Sequence, residues 1–393
     1  MNPWKGIKDI PRNIWLISAG SLINRMGMMV LPFLILYLTQ EMGESPGDAG
    51  LVLTFYGLGA LVSAPFAGKL SDKIGPLNLM RMSLIMSGSL LFIYPLLTAY
   101  WSIAIMSVIL AVITEAFRPA SMAFISDEAQ ENMRKPAFAL YRLALNLGMS
   151  IGPVAGGFLT TVDFSLLFYV DGITSITAGI YLFVVRWDTL KTHTAREKDT
   201  ITEAAKEIVP PYKNWNFIYF LLANVPVVMV FFQHMSSMPL FVVEELGYAR
   251  STFGIFVAVN TVTIIFVELP LNTAMNNWKD WKLLTLGCLL TGLGFGLMAF
   301  LSSLPGLVLT IVIWTFGEMI FFPMTASYVA ELSPKEKRGE YMGWFQMVFS
   351  SCLTVAPWLG TTIFEVYGSF TLWIWTFIAG IASAAMFLRF RKS

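Results

Sequence analysis

Seven ionisable side chains stand inside stretches that are otherwise apolar: Arg25, Glu115, Arg118, Asp171, His234, Glu268 and Glu318. A charge at the centre of a bilayer costs about 2.5–3.5 kcal/mol on insertion scales, so each is a candidate for holding a proton, an ion or the polar end of a solute. Counted from the ends of their stretches, Arg25, Glu115 and Glu318 fall near the middle, while Glu268 and Asp171 lie towards opposite ends. Glu115 and Arg118 are three residues apart and can meet on one helical face, and Arg25 is a second partner within reach of Glu115. Such a cluster either shapes a charged cavity or forms a static ion pair. Glu318 has no basic residue in its own stretch, and a buried carboxyl of that kind can bind and release a proton; a polar contact to a neighbouring helix is the competing reading. Glu268 and then Glu115 follow it as proton-carrying candidates. His234 could titrate near neutrality, but beside Gln233, Ser236 and Ser237 it also reads as a neutral, hydrogen-bonding wall residue.

Asn24, Arg25, Arg118, Asn146, Gln233, His234 and Trp314 make up the candidate solute-binding set. The aromatic residues near them, Phe231, Phe232, Phe321, Phe322, Trp344 and Phe345, suit a lipophilic or amphipathic solute better than a sugar, which demands many directional hydrogen bonds. Chemistry of other kinds finds no support: there is no Walker-type glycine loop, no His or Cys cluster for a metal and no nucleophile with an evident base. Neither a cofactor nor an enzymatic activity is expected, and a net charge of +1 offers nothing to a nucleic acid.

The elements that must position these residues are membrane helices. The chain has 393 residues, 56% hydrophobic and 13% charged, against about 25% charged in soluble domains. A spanning helix needs about 20 apolar residues. Twelve stretches qualify, near 14 to 38, 49 to 68, 79 to 99, 101 to 125, 138 to 161, 166 to 186, 215 to 243, 251 to 272, 281 to 301, 306 to 330, 340 to 363 and 369 to 388. The first follows Met1-Asn2-Pro3-Trp4-Lys5 with no small-residue cleavage site, so it is expected to stay in the membrane. With a cytoplasmic N-terminus, nearly all Lys and Arg outside the spans fall on the cytoplasmic side and Arg250 alone on the other, which predicts that both termini are cytoplasmic. Cys288 and Cys352 lie in apolar stretches and read as packing residues.

A polar connection at residues 187 to 214 contains one helical stretch, Ile201 to Ile208, and divides the chain. The two parts repeat at an offset of 204 residues. Pro119 to Asp127 aligns with Pro323 to Glu331, Arg134 falls on Arg338, Pro153 on Pro357, Gly156 on Gly360, Gly43 on Gly247 and Gly50 on Gly254. The expected organisation is an N-terminal six-helix half over 1–186, a linker over 187–214 and a C-terminal six-helix half over 215–393. Solute and ion sites of duplicated carriers lie where their repeats meet, near mid-membrane.

Two motifs carry a resemblance. Gly68-Lys69-Leu70-Ser71-Asp72-Lys73-Ile74-Gly75 resembles the loop motif between the second and third spans of the major facilitator superfamily, although Pro76-Leu77-Asn78 replaces the arginines that usually follow. Gly148 to Gly157, with Gly148, Gly152, Pro153, Gly156 and Gly157 in register, resembles the fifth-span motif of that superfamily's drug and proton antiporters, and residues 28 to 38 are similar to their first-span signature. The resemblance covers essentially the whole chain. It implies two pseudo-symmetric six-helix halves, a cavity lined by spans one, four, seven and ten, and a conformational latch of Gly68, Asp72 and Gly75 with Asp127. It further implies a monomeric secondary transporter in a bacterial cytoplasmic membrane. Proton-coupled export of drugs or amphipathic solutes is the leading function, and proton-coupled import of a peptide or sugar is the alternative.

Overall fold

The computed structural model describes residues 10–129, 133–188, 210–275, 277–334 and 337–392. Most of the linker, including the stretch Ile201 to Ile208, lies outside the described residues. Among those described, nine helical stretches are long and apolar enough to cross a membrane. The last, Glu340–Phe390, holds two spans, because Gly368 bends it with φ of 82°. Pro46–Ile74 and Arg134–Leu159 complete the twelve. Large apolar side chains such as Phe66, Trp101, Phe266 and Phe300 point outward from this bundle; in water they would be an aggregation hazard, whereas in hydrocarbon they face their own kind of solvent.

Local sequence explains where the spans begin and end. Asn214 caps the seventh span by accepting the Phe217 N–H at 3.1 Å, and Ser303 caps the tenth by accepting that of Gly306 at 3.3 Å. Asp163 takes the Ser165 N–H at 2.7 Å ahead of the sixth span, and the Ser165 hydroxyl, then its backbone N–H, hold the Asp163 carboxyl below the usual carboxylate range. The motif between the second and third spans is less of a loop than the sequence suggests. The second span remains helical through Ile74, and only Gly75, at φ 86°, leaves the helix before Pro76 starts the next. Nothing between Lys69 and Ile74 breaks a helix, while Gly75 supplies the positive φ that other residues rarely adopt.

Three spans are interrupted near their middles. The first runs as Arg12–Gly27 and Val30–Gln40, with Met28 and Met29 between. The fourth runs as Tyr100–Thr114 and Phe117–Glu128, interrupted at Glu115 and Ala116. The seventh leaves the α-helix after Phe231, passes through a 3₁₀ turn at Phe232–Met235 and ends in a π-helical turn at Leu240–Glu245. At the 204-residue offset, Met28 falls on Phe232, so the leading span of each repeat breaks at the same register. Gly43 and Gly247, likewise paired by the offset, share a φ of 71°.

The chain forms two compact units. One gathers Met1–Phe33, Leu58–Ile201 and Arg250–Thr261; the other gathers Leu34–Gly57, Thr202–Ala249 and Val262–Ser393. Each unit is therefore built mainly from one part of the chain; the second also takes the end of the first span and the start of the second, and the first takes the start of the eighth. In the first unit the start of the eighth span closes on the fifth, where Arg250 bonds the Thr160 carbonyl at 2.6 Å and stacks over Phe164 at 4.1 Å. In the second unit the start of the second span meets the eleventh, and Glu365 accepts the Gly47 N–H at 2.7 Å. Cys288 and Cys352 are both buried and free.

Candidate functional site

In the first unit, glycines bring the broken first span against its neighbours. A Cβ at Gly27 would overlap Thr174 of the sixth span, and one at Gly152 would lie 3.0–3.2 Å from the carbonyl oxygens of Arg25, Met26 and Met28. Those carbonyls belong to the last turn before the break and to its first residue. Gly148 meets Arg25 and Gly156 meets Met29, while Gly157 meets Ser251 of the eighth span. The fifth-span glycines thus admit two helices at backbone distance, a packing that side chains would prevent.

Polar side chains gather at the same break. Asn24 donates to Ser175 Oγ at 3.1 Å, and Ser175 donates to Asp171 Oδ1 at 3.4 Å. Asp171 Oδ2 accepts the N–H groups of Met29 and Val30 at 3.3 and 3.4 Å. These N–H groups open the second half of the first span, where a helix has no backbone acceptors of its own to offer. Arg25 points one guanidinium nitrogen at the Met28 sulfur, while its Nε is buried without a hydrogen-bond partner.

The fourth span loosens at Glu115 and Ala116, whose backbone stays in the right-handed helical region, and Arg118 beyond them is exposed. Asn146 is half-buried on the fifth span. Asp127 is exposed beside the buried Glu128, which accepts from Asn13 at 2.8 Å and ties the end of the fourth span to the start of the first. Gly68 and Asp72 lie on the second-span helix, and the Asp72 side chain is outside what the structure describes.

In the second unit the break of the seventh span carries an aromatic cluster. Trp314 of the tenth span stacks between Phe295, at 5.2 Å, and His234, at 6.0 Å. Phe231 closes edge-on to Trp314 and Phe322, at 6.3 and 4.7 Å. The indole Nε1 of Trp314 is buried with no hydrogen-bond partner. His234 Nδ1 lies 2.6 Å from the Phe231 carbonyl oxygen. Gln233, one of the expected solute-binding residues, is hydrogen-bonded within the break: its Nε2 donates to the carbonyls of Met229 and Ala356 at 3.1 and 3.0 Å, and its Oε1 accepts from Ser236 and Ser237. Its amide closes the seventh-span break.

Glu318, half-buried, stands one turn beyond Trp314 on the same helix. Glu268, buried, lies on the eighth span, and Asn272, one turn further, donates to the carbonyls of Glu268 and Met319 at 3.0 and 3.4 Å. The two carboxyl-bearing helices are joined next to Glu318. The structure therefore gathers Asn24 and Arg25 in one unit, and His234, Trp314, Glu318 and Glu268 along adjoining helices of the other. Asp171 and Ser175 were missing from the candidate binding and coupling sets. The available signal for Asp171 was an aspartate in a span with no other charge.

The family model for the Major Facilitator Superfamily matches residues 17–357 and 220–392. The chain belongs to that superfamily. This superfamily member is thus a membrane-embedded transporter of small molecules and not an enzyme. It is similar to the uncharacterized MFS-type transporter YqjV of Bacillus subtilis, 24% identical over 97% of this chain and 93% of that one. A Na(+), Li(+), K(+)/H(+) antiporter of Planococcus maritimus is 22% identical over 94% and 97%, and the class B tetracycline resistance protein of Escherichia coli is 24% identical over 92% and 90%. Among solved structures, the peptide transporter POT in complex with sulfate superposes with a TM-score of 0.81 over 97% of this chain and 94% of that one. Identity to it is 14%, a likeness of fold alone.

Proposed function

We propose that the protein exports drugs or other small amphipathic solutes in exchange for protons, by alternating access between its two repeats. The observation that carries this reading is the stacked cluster of Phe295, Trp314 and His234, with a buried indole N–H left to donate. Apolar walls with one or two convergent polar groups suit a lipophilic, weakly polar solute. The fifth-span glycine motif and the names of the antiporter and tetracycline-resistance relatives point the same way. In this reading Glu318 carries the proton, with Glu268 and then Glu115 as its alternates, because Glu318 lies at mid-membrane depth one turn from the aromatic cluster. Asn24, Arg25, Arg118, Asn146, Gln233, His234 and Trp314 contact the solute. Asp72 and Asp127, with Gly68 and Gly75, act as the cytoplasmic latch.

Purified protein in proteoliposomes, given a panel of amphipathic cations and a pH gradient of either sign, is expected to move solute against its own gradient and in the direction opposite to protons. Solute movement in the same direction as protons would make the protein an importer, and flux that follows sodium but not pH would replace the coupling ion.

The protein is further proposed to reside as a monomer in a bacterial cytoplasmic membrane with both termini inside. Single cysteines at Ser45 and Ser302 should then react with an impermeant thiol reagent in intact cells, and those at the exposed positions Lys73 and Lys279 only after permeabilisation. External labelling at Lys73 would invert the orientation.

A further inference from the structure

The leading spans of the two repeats break at the same register but are closed by chemically different groups. In the seventh span the closing group is the neutral amide of Gln233, which reaches the Ala356 carbonyl of the eleventh span. In the first span it is a carboxylate, Asp171 of the sixth span, 7% exposed, whose Oδ2 sits between the N–H groups of Met29 and Val30. An amide cannot change charge; a carboxylate can. We propose that Asp171 is a proton-binding site, and that its protonation releases the first-span break.

The ionised carboxylate is an acceptor only, while its protonated form is a donor through one oxygen. A proton taken up from water onto Oδ2 converts that oxygen to an O–H, a much weaker acceptor, so the hydrogen bonds from the Met29 and Val30 N–H groups weaken. No other covalent bond changes, and the proton returns to water when the break closes. The closed break, with two N–H groups on Oδ2, and the open break bind the proton with different affinity, which is the condition for a ligand to shift a conformational equilibrium. Ser175 links this event to Asn24 on the first span through its two hydrogen bonds, to Asp171 Oδ1 and from Asn24 Nδ2. The proton site therefore touches one of the residues assigned to solute.

The groups facing Asp171 leave it as the titrating member of this cluster. From the first span, Arg25 is the charged residue within electrostatic reach. The third span approaches through Gly88 against Gly172, and its one charged residue, Arg81, is bound to the Leu182 carbonyl at 2.9 and 2.7 Å at the far end. Tyr94, in the turn that follows, is paired with Ser107 at 2.8 Å. The fifth span presents Gly148 and Gly152 to the break; Arg134, Lys135, Tyr141 and Arg142 lie at its start, where Tyr141 pairs with Ser121.

The site adds a second proton to the proton-coupled reading above, and its test needs no solute. Infrared difference spectra of the purified protein on acidification should show a carboxylic-acid C=O band that D171N lacks and D171E restores. Hydrogen exchange over residues 28 to 31, corrected for the intrinsic pH dependence of exchange, should lose protection on acidification in the wild type and be low and pH-independent in D171N. The wild-type exchange profile needs no variant and decides the matter even if D171N fails to fold. Protection at residues 28 to 31 that does not change with pH, or an unchanged band in D171N, overturns the proposal. Either result would leave coupling through Glu318 standing, and a protein without pH-driven flux would still show the Asp171 band.

Discussion

Glu318→Gln is expected to abolish solute accumulation driven by a pH gradient while leaving solute binding and solute exchange at wild-type levels. A glutamine has the shape of a protonated glutamate and cannot release a proton. The variant should cycle only while carrying solute, exchanging one molecule for another without net work. Counterflow in proteoliposomes measures exchange, and accumulation under an imposed pH gradient measures coupling. Wild-type accumulation by Glu318→Gln would remove Glu318 from the mechanism and move the same comparison to Glu268, whose helix is joined to the tenth span through Asn272 and the Met319 carbonyl. A loss of both activities would make Glu318 a structural or solute-binding residue.

Gly360→Ala is expected to lower the stability of the purified protein by about 1–3 kcal/mol, the usual range for overpacking a filled interior. A Cβ at this position would overlap Gln233 Oε1 and lie 2.5 Å from its Cδ and 2.7 Å from its Nε2. The amide would have to leave the Ala356 carbonyl, and the Ser236 and Ser237 hydroxyls would lose their shared acceptor. Gln233→Ala removes the clash and costs those hydrogen bonds instead, so the double substitution should destabilise by less than the sum of the two single ones. Residues in direct contact couple in this way, whereas distant ones add. Thermal unfolding of the three variants in one detergent reads the cycle. Strict additivity would show that Gly360 and Gln233 do not share the seventh-span break.

The twelve spans were legible because their signal is local: about 20 apolar residues in a row declare a membrane helix whatever surrounds them. Span ends mostly agreed to within a few residues, with Arg12–Gln40 against an expected 14 to 38 and Arg250–Ala274 against 251 to 272. The repeat at 204 residues was also legible, since Pro and Gly positions survive where apolar residues interchange. The breaks within spans one, four and seven were not. Met28 and Met29 are ordinary helix formers, and their departure from the helix depends on the Asp171 carboxylate, 142 positions away in the chain. The loosening at Glu115 and Ala116 was equally silent in the sequence, which reads as one unbroken apolar helix there.

The same division holds for the site. Residue type and apolar context by themselves determined that Arg25, Asp171, Glu268 and Glu318 needed an explanation, because an ionisable group in hydrocarbon is costly wherever its partners lie. They also determined that this chain is a membrane protein in two repeats, while the resemblance of its two glycine-rich motifs supplied the reading as a transporter. Only the tertiary structure decided what each polar group does. Gln233 and Asp171 look alike in sequence as polar residues among apolar ones. One is held by a carbonyl 123 residues away and the other by two backbone N–H groups across the bundle. Hydrogen bonds are short and directional, so a buried polar group's role is set by whichever donors and acceptors the folded chain brings within about 3 Å of it. No pattern of neighbours along the chain contains that information.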